Sequence, residues 1–145
     1  MRLLSLMLAA MTMLDAQTPE QTARAVMEEF FRAWNTGEDA ELRKVQHFPF
    51  ITLGANGRTS IAMKAEDFTQ NFPALRQNEG WAKSTLDGIQ VLPVAAPDKI
   101  HLVVTYSRYK ADGSKYVTGE TFYILTKQNG RWGLQLRSVL GQRKP

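Results

Sequence analysis

No cysteine occurs among the 145 residues. That excludes a disulfide framework, a thiolate metal site and a cysteine nucleophile. It leaves the redox compartment open, because a chain of this length buries a core without covalent staples. Histidine is nearly as scarce: His47 and His101 are the only two. No pair of histidines or carboxylates stands at metal-ligand spacing, so neither a metal nor a cofactor is expected. The glycines mark turns rather than strand-to-helix junctions, which removes a phosphate or dinucleotide loop, and no serine stands in a nucleophile elbow. Phosphoryl transfer, nucleotide-dependent redox chemistry and triad hydrolysis therefore lack their residues. Clustered charge is missing too. The formal charge is +4 and the pI about 9.5, yet the bases are scattered and only Arg143-Lys144 stand together. A nucleic-acid face needs a concentrated basic footprint, so none is expected.

Long apolar runs are also absent. Leu3 to Leu14 is apolar and free of acids, with Arg2 before it, but it is shorter than the roughly 20 residues that span a bilayer. Two readings stand for residues 1–16. One is a secretory signal ending at Ala16, with a thin basic start and a bulky Leu14 near the cut. The other is an N-terminal extension, either an extra helix or a misassigned start with Met11 or Met13 as initiator. Export is favoured slightly over a cytoplasmic location. Residues 17–140 are expected to form one domain and 141–145 a polar tail. Hydrophobic residues at 43% and charged residues at 22% are the balance of a folded domain.

The first helix is the best-marked element. Thr18-Pro19-Glu20-Gln21 combines an N-cap threonine, a proline at the first helical position and a glutamine that closes a capping box. Ala23, Val26, Phe30, Ala33 and Trp34 then recur at three- and four-residue steps, and Gly37 supplies the stop. A short second helix is expected from Glu38 to about Val45, with acids first and bases last. Phe48-Pro49-Phe50 ends it and leads into an extended Ile51–Leu53, which Asn56-Gly57 turns back along Arg58–Ile61. Ala65, Phe68, Phe72 and Leu75 read as a third helix kinked or split at Pro73.

From Trp81 onward the pattern is of strands: Trp81–Val91, Ile100–Lys110, Lys115–Lys127 and Arg131–Leu140. Asp112-Gly113 and Asn129-Gly130 are tight hairpin signals. Two-residue loops would place Tyr109 opposite Tyr116, Val103 opposite Phe122, and Tyr123 opposite Leu136. One face then collects Leu102, Val104, Tyr106, Arg108, Val117, Thr121, Tyr123, Leu125, Trp132, Leu134, Leu136 and Ser138. This apolar face should meet the helices. The other carries His101, Val103, Thr105, Ser107, Tyr109, Glu120, Phe122, Ile124, Gln135 and Arg137. Its apolar centre with a polar rim is the pattern of an interface, so a homodimer through that face is expected. The fold class is α+β, with N-terminal helices packed on a curved sheet that ends in an antiparallel meander.

This order of elements resembles the nuclear transport factor 2-like superfamily, in its SnoaL-like branch. The resemblance is carried by Glu28-Glu29-Phe30-Phe31-Arg32-Ala33-Trp34-Asn35, by His47-Phe48-Pro49-Phe50 with its hairpin, and by the meander from Arg108-Tyr109 to Asn129-Gly130-Arg131-Trp132. It spans roughly residues 18–140. It implies a cone-shaped domain with a pocket between the concave sheet face and the helices, and dimerisation through the convex face. Members include isomerases, cyclases and dehydratases, and also ligand-binding and interaction domains, so the fold alone does not choose among them. Catalytic members place an acid or histidine near the end of the second helix. His47 matches that place as a general base, and the plainer alternative is a histidine capping that helix.

The expected inward face carries no carboxylate, which speaks against a ketosteroid-isomerase-like mechanism. Trp34, Phe50, Tyr106, Arg108, Thr121, Tyr123 and Ser138 are the expected pocket residues. Arg108 in such a place needs a carboxylate, carbonyls or an anionic ligand, unless it reaches solvent. Three readings follow. The first is a pocket for a small apolar, carbonyl-bearing or anionic molecule. The second is a cofactor-independent isomerase, cyclase or dehydratase using His47, and the third is an interaction or assembly domain.

Overall fold

The structure is a computed structural model that describes residues 16–145. The signal-or-extension expectation for residues 1–16 falls almost wholly outside the described residues. Three α-helices, α1 (Pro19–Thr36), α2 (Asp39–Val45) and α3 (Phe72–Glu79), pack on one sheet. Its strands are β1 (Gln46–Leu53), β2 (Thr59–Ala62), β3 (Trp81–Val91), β4 (Lys99–Lys110), β5 (Lys115–Gln128) and β6 (Arg131–Arg143). They lie in the order β2-β1-β6-β5-β4-β3. Only β1 and β6 pair in parallel, so the sheet is mixed. Among the described residues no helix is long and apolar enough to cross a membrane.

The strongest local signals formed as read. The Thr18 hydroxyl accepts from Gln21 N–H while the Gln21 side chain accepts from Thr18 N–H, closing the capping box. Gly37 ends α1 at φ 67°, a left-handed conformation that glycine takes without cost. The buried stripe of α1 (Ala23, Met27, Phe30, Phe31, Trp34) lies on the sheet beside Leu102, Val104, Tyr123 and Leu125. Ring pairs Phe30–Tyr123, Trp34–Phe72 and Phe72–Trp81, at 5.7, 5.1 and 5.4 Å between centroids, fill most of the space under the helices.

Three local expectations are corrected. Pro73 starts a helix rather than kinking one: α3 begins at Phe72 with Asn71 as its N-cap, because proline's missing N–H is harmless in a first turn. Only a 3-10 turn, Ala65–Asp67, precedes it. The strand β1 begins at Gln46 immediately after α2, with a cis Phe48–Pro49 bond inside it. At the other end β6 continues through Arg143, pairing Glu120 with Gly141 and Thr118 with Arg143. Residues 141–143 are therefore strand rather than tail.

Register is where sequence and structure part. The loop after β4 has three residues, with Lys110 N–H bonded to Ser114 O at 2.9 Å. A compensating shift between Arg108 and Tyr109 restores the expected pairing of Val103 with Phe122, though Tyr109 faces Lys115 rather than Tyr116. Between β5 and β6 nothing compensates. Leu125 faces Leu134 as expected, but Ile124 faces Leu136 and Tyr123 faces Arg137. Gln135 is the extra residue of a β-bulge, and the side chains from Leu136 to Val139 change face until a second shift at Leu140 restores the alternation. Arg137 thus turns to the helix side, while Leu136 and Ser138 turn outward.

Candidate functional site

One hollow lies between α1 and strands β3 to β6. Its walls are Phe30, Phe31, Trp34, Tyr106 and Tyr123, and its polar members are Ser84, Arg108 and Arg137. The space is about 10 Å³, enough for one water-sized group, within a recess of about 240 Å³ counted out to solvent. Four of the expected pocket residues, Trp34, Tyr106, Arg108 and Tyr123, meet here. Thr121 is fully buried on the same face but does not line the hollow. Phe50 is a core residue stacked edge-on against Phe68 at 5.5 Å. Ser138 stands opposite Phe122 on the outer face, carried there by the Gln135 bulge, and is no pocket residue.

Two guanidiniums enter this mostly aromatic space. Arg108, 5% exposed, donates from Nη1 to Glu79 Oε2 at 2.9 Å. It also lies over the Tyr106 ring at 5.4 Å and the Trp34 ring at 5.9 Å. Arg137 lies over Trp34 at 5.2 Å, and its Nη1 donates to Gln70 Oε1 at 3.1 Å. Gln70 is in turn held by its backbone N–H on Asp39 Oδ1 at 3.1 Å. Glu79 is therefore the single carboxylate bonded to either arginine. Among the described residues the buried side-chain atoms without a hydrogen-bond partner include Trp34 Nε1, Arg108 Nε and Arg137 Nε. All three are N–H donors on residues lining one hollow. An unmet buried donor costs about 1–3 kcal/mol, so three on the lining of one hollow mark a place for an acceptor.

The two tyrosines differ. Tyr106 accepts a bond from Gln142 Nε2 at 2.8 Å, leaving its own proton free to donate. Its ring fits because it lies across Gly119, where a Cβ would come within 2.5 Å of the phenol. Burial pushes the Tyr123 hydroxyl above its ordinary range, so it stays protonated and serves as a donor rather than a base.

His47 stands apart from the hollow. It is 3% exposed on β1, packed over Gly133, with Nδ1 2.9 Å from Thr126 Oγ1. Thr126 spends its one proton on Gln135 Oε1 at 2.9 Å, so His47 Nδ1 must be the donor and Nε2 the bare nitrogen. That Nε2 is buried and unpartnered. The C-terminal carbonyls of α2 are taken instead by Arg131, which donates to Lys44 O and Gln46 O at 2.9 and 3.1 Å. The general-base role assigned to His47 thus loses its geometry. His47 belongs to the network that holds the bulge, together with Gln135, Gln128 and the Pro49 carbonyl.

Sequence reasoning missed Arg137, which it placed on the outer rim, and also Ser84, Phe30 and Phe31. A trace of the bulge is visible in retrospect. Trp132 and Leu134 stand at even positions and Val139 at an odd one, the phase change that an inserted residue produces. Among the described residues no cluster of potential ligands could hold a metal ion.

No protein-family model matches the chain, and no curated protein resembles it in sequence. Solved structures do resemble it in shape. A protein of unknown function with a cystatin-like fold from Nostoc punctiforme superimposes with a TM-score of 0.66 at 14% identity, over 83% of this chain and 88% of that one. An NTF2-like protein of unknown function from Prochlorococcus gives 0.64 at 10% identity, over 89% and 97%. An NTF2-like protein with a cystatin-like fold from Novosphingobium aromaticivorans gives 0.62 at 12% identity, over 83% and 80%. At such identities the likeness establishes the fold alone: this chain has the NTF2-like, cystatin-like fold.

Proposed function

We propose that this chain is a small-molecule-binding domain whose ligand presents a carboxylate, or a comparable small monoanion, to Arg108 and Arg137. The observation that carries the reading is that three residues lining one hollow, Trp34, Arg108 and Arg137, each keep a buried, unpartnered N–H donor. A single water has two lone pairs and cannot meet three donors. A carboxylate has about four acceptor sites and can. Charge agrees with this, since two guanidiniums share one carboxylate and Arg137 bonds only the neutral Gln70 side chain. The hollow as it stands holds one water-sized group, so a carboxylate enters only as lining side chains shift, and the packed aromatic rings restrict the ligand to few carbons.

The isomerase, cyclase or dehydratase reading finds less support. Among the described residues the hollow is lined by neither a carboxylate nor a histidine, and its tyrosines are placed as hydrogen-bond donors. Binding without proton transfer fits the lining better. The test is titration of ¹⁵N-labelled protein with sodium acetate at constant ionic strength, following the Trp34 indole N–H, identified by its loss in Trp34→Phe. Saturable movement of that resonance is expected, and its abolition in a folded Arg137→Met variant. An indole signal that stays still in the parent protein sinks the reading.

The outer face supports self-association as a companion role. Its residues form a continuous apolar row across neighbouring strands: Ile61 beside Ile51, Ile51 beside Leu136, and Leu136 beside Ile124. Phe122 and Val103 continue it, and His101 stacks on Phe122 at 5.8 Å. An apolar face of this extent with a polar rim suits a second copy of the chain.

A further inference from the structure

Glu79 is badly placed for a helix residue and well placed for a ligand. It is the last residue of α3, where the helix dipole disfavours an anion. Its side chain is 35% exposed and reaches inward to an Arg108 side chain that is 6% exposed. Both of its bonds, from Arg108 Nη1 and from Tyr116 Oη, end on the same oxygen at 2.9 Å. The contact with Arg108 is therefore single rather than the stronger two-bond fork. Glu79, Tyr116, Gln142 and Lys110 line an open surface cleft on the far side of Arg108. Two side-chain pairs thus stand between cleft and hollow, Glu79 with Arg108 and Gln142 with Tyr106.

From this we infer that Glu79 is a resident occupant of the anion site, and that the ligand's carboxylate displaces it from Arg108 on entering from the cleft. The inference rests on the anion-binding reading above and adds its specificity-determining residue. The exchange is like for like, one carboxylate for another on the same guanidinium, with no net change in buried charge. It leaves Glu79 in the cleft beside Lys110, whose ammonium lies 5.9 Å from the Tyr116 ring. Glu79 therefore sets a threshold: a weakly held anion does not replace it, and a ligand that also satisfies Trp34 Nε1 and Arg137 Nε does.

Acetate affinity, read from the Trp34 indole N–H, tests this in two variants. Glu79→Gln removes the competing charge, and Tyr116→Phe keeps the charge but deletes one bond that holds it in place. The expected result is tighter acetate binding in both, by about tenfold for Glu79→Gln and about threefold for Tyr116→Phe. Simple charge neutralisation would move only the first, so unchanged affinity in a folded Tyr116→Phe overturns the displacement. Unchanged or weaker affinity in Glu79→Gln does the same while leaving the anion site standing. If the parent and both variants all fail to bind acetate, the anion-site reading falls with it.

Discussion

At the scale of single residues, the decisive question is what a buried polar atom is bonded to. Arg137 and His47 answer it in opposite ways. Arg137 has only the neutral Gln70 as a side-chain partner and keeps a free Nε beside Trp34, so it is poised for something from outside. His47 is committed through Nδ1 to Thr126 and does not line the hollow. Burial, and after it the nearby Arg131 charge, hold its pKa below the ordinary 6.5. The unfolded chain therefore takes up this proton first as pH falls. Stability from this group is complete above about pH 6.5 and is lost as pH drops through and below it. Protonation would place an N–H with no acceptor, and a charge, beside Arg131. Urea midpoints measured from pH 7.5 down to 5 should fall for the parent protein. They should fall less steeply for His47→Gln, and equal slopes would show that His47 is not the titrating group.

Elements add what residues lack, which is direction. One inserted residue in β6, Gln135, reverses the faces of Leu136 to Val139 and delivers Arg137 to the helix side. The insertion is held by bonds from Gln135 to the Pro49 carbonyl of β1 and to Thr126 and Gln128 of β5. Pairing between β4 and β5 has a similar positional device. Tyr106 lies opposite Gly119, and the absent side chain is the space its phenol occupies. Tyr106 is 5% exposed and bonded to Gln142, so it has little room to retreat. Gly119→Ala is expected to lower stability by about 1–3 kcal/mol through overpacking, visible as a reduced melting temperature. A variant that melts with the parent would mean the ring relaxes freely.

On the scale of the whole molecule the sheet has two working faces. The inner one is closed by α1 and α3 around aromatic rings, leaving only the small hollow beside the arginines. Among the described residues the outer one is covered by no helix, and it carries the Ile51, Leu136, Ile124 and Phe122 row. If that row seats a second copy, Phe122→Glu should convert a dimer into a folded monomer, since a charge there has no partner. Light scattering should show the mass halve while circular dichroism is unchanged. A parent protein that is monomeric at high concentration would refute the outer-face dimer directly.

Much of this was legible in one dimension. The capping box at Thr18, the Gly37 stop, the hairpin signals and the alternating strands are local rules. Each depends on residues within a few positions of one another, so the element order and the helix-facing strip from Leu102 to Arg108 could be read directly. Trp34, Tyr106, Arg108 and Tyr123 were legible as pocket residues for that reason. The bulge at Gln135 was not, because its stabilising partners, Pro49 and Thr126, are distant in sequence and adjacent only once β1 and β5 flank β6. A single slip reverses the side chains that follow it up to the next shift, so Ser138 left the pocket and Arg137 entered it. The same long-range packing set His47 beside Thr126, away from the hollow, and supplied Glu79 to Arg108. The sequence by itself determined the layers and half the hollow's lining. Tertiary pairing decided the charge inside it, because register is a relation between strands and belongs to none of them alone.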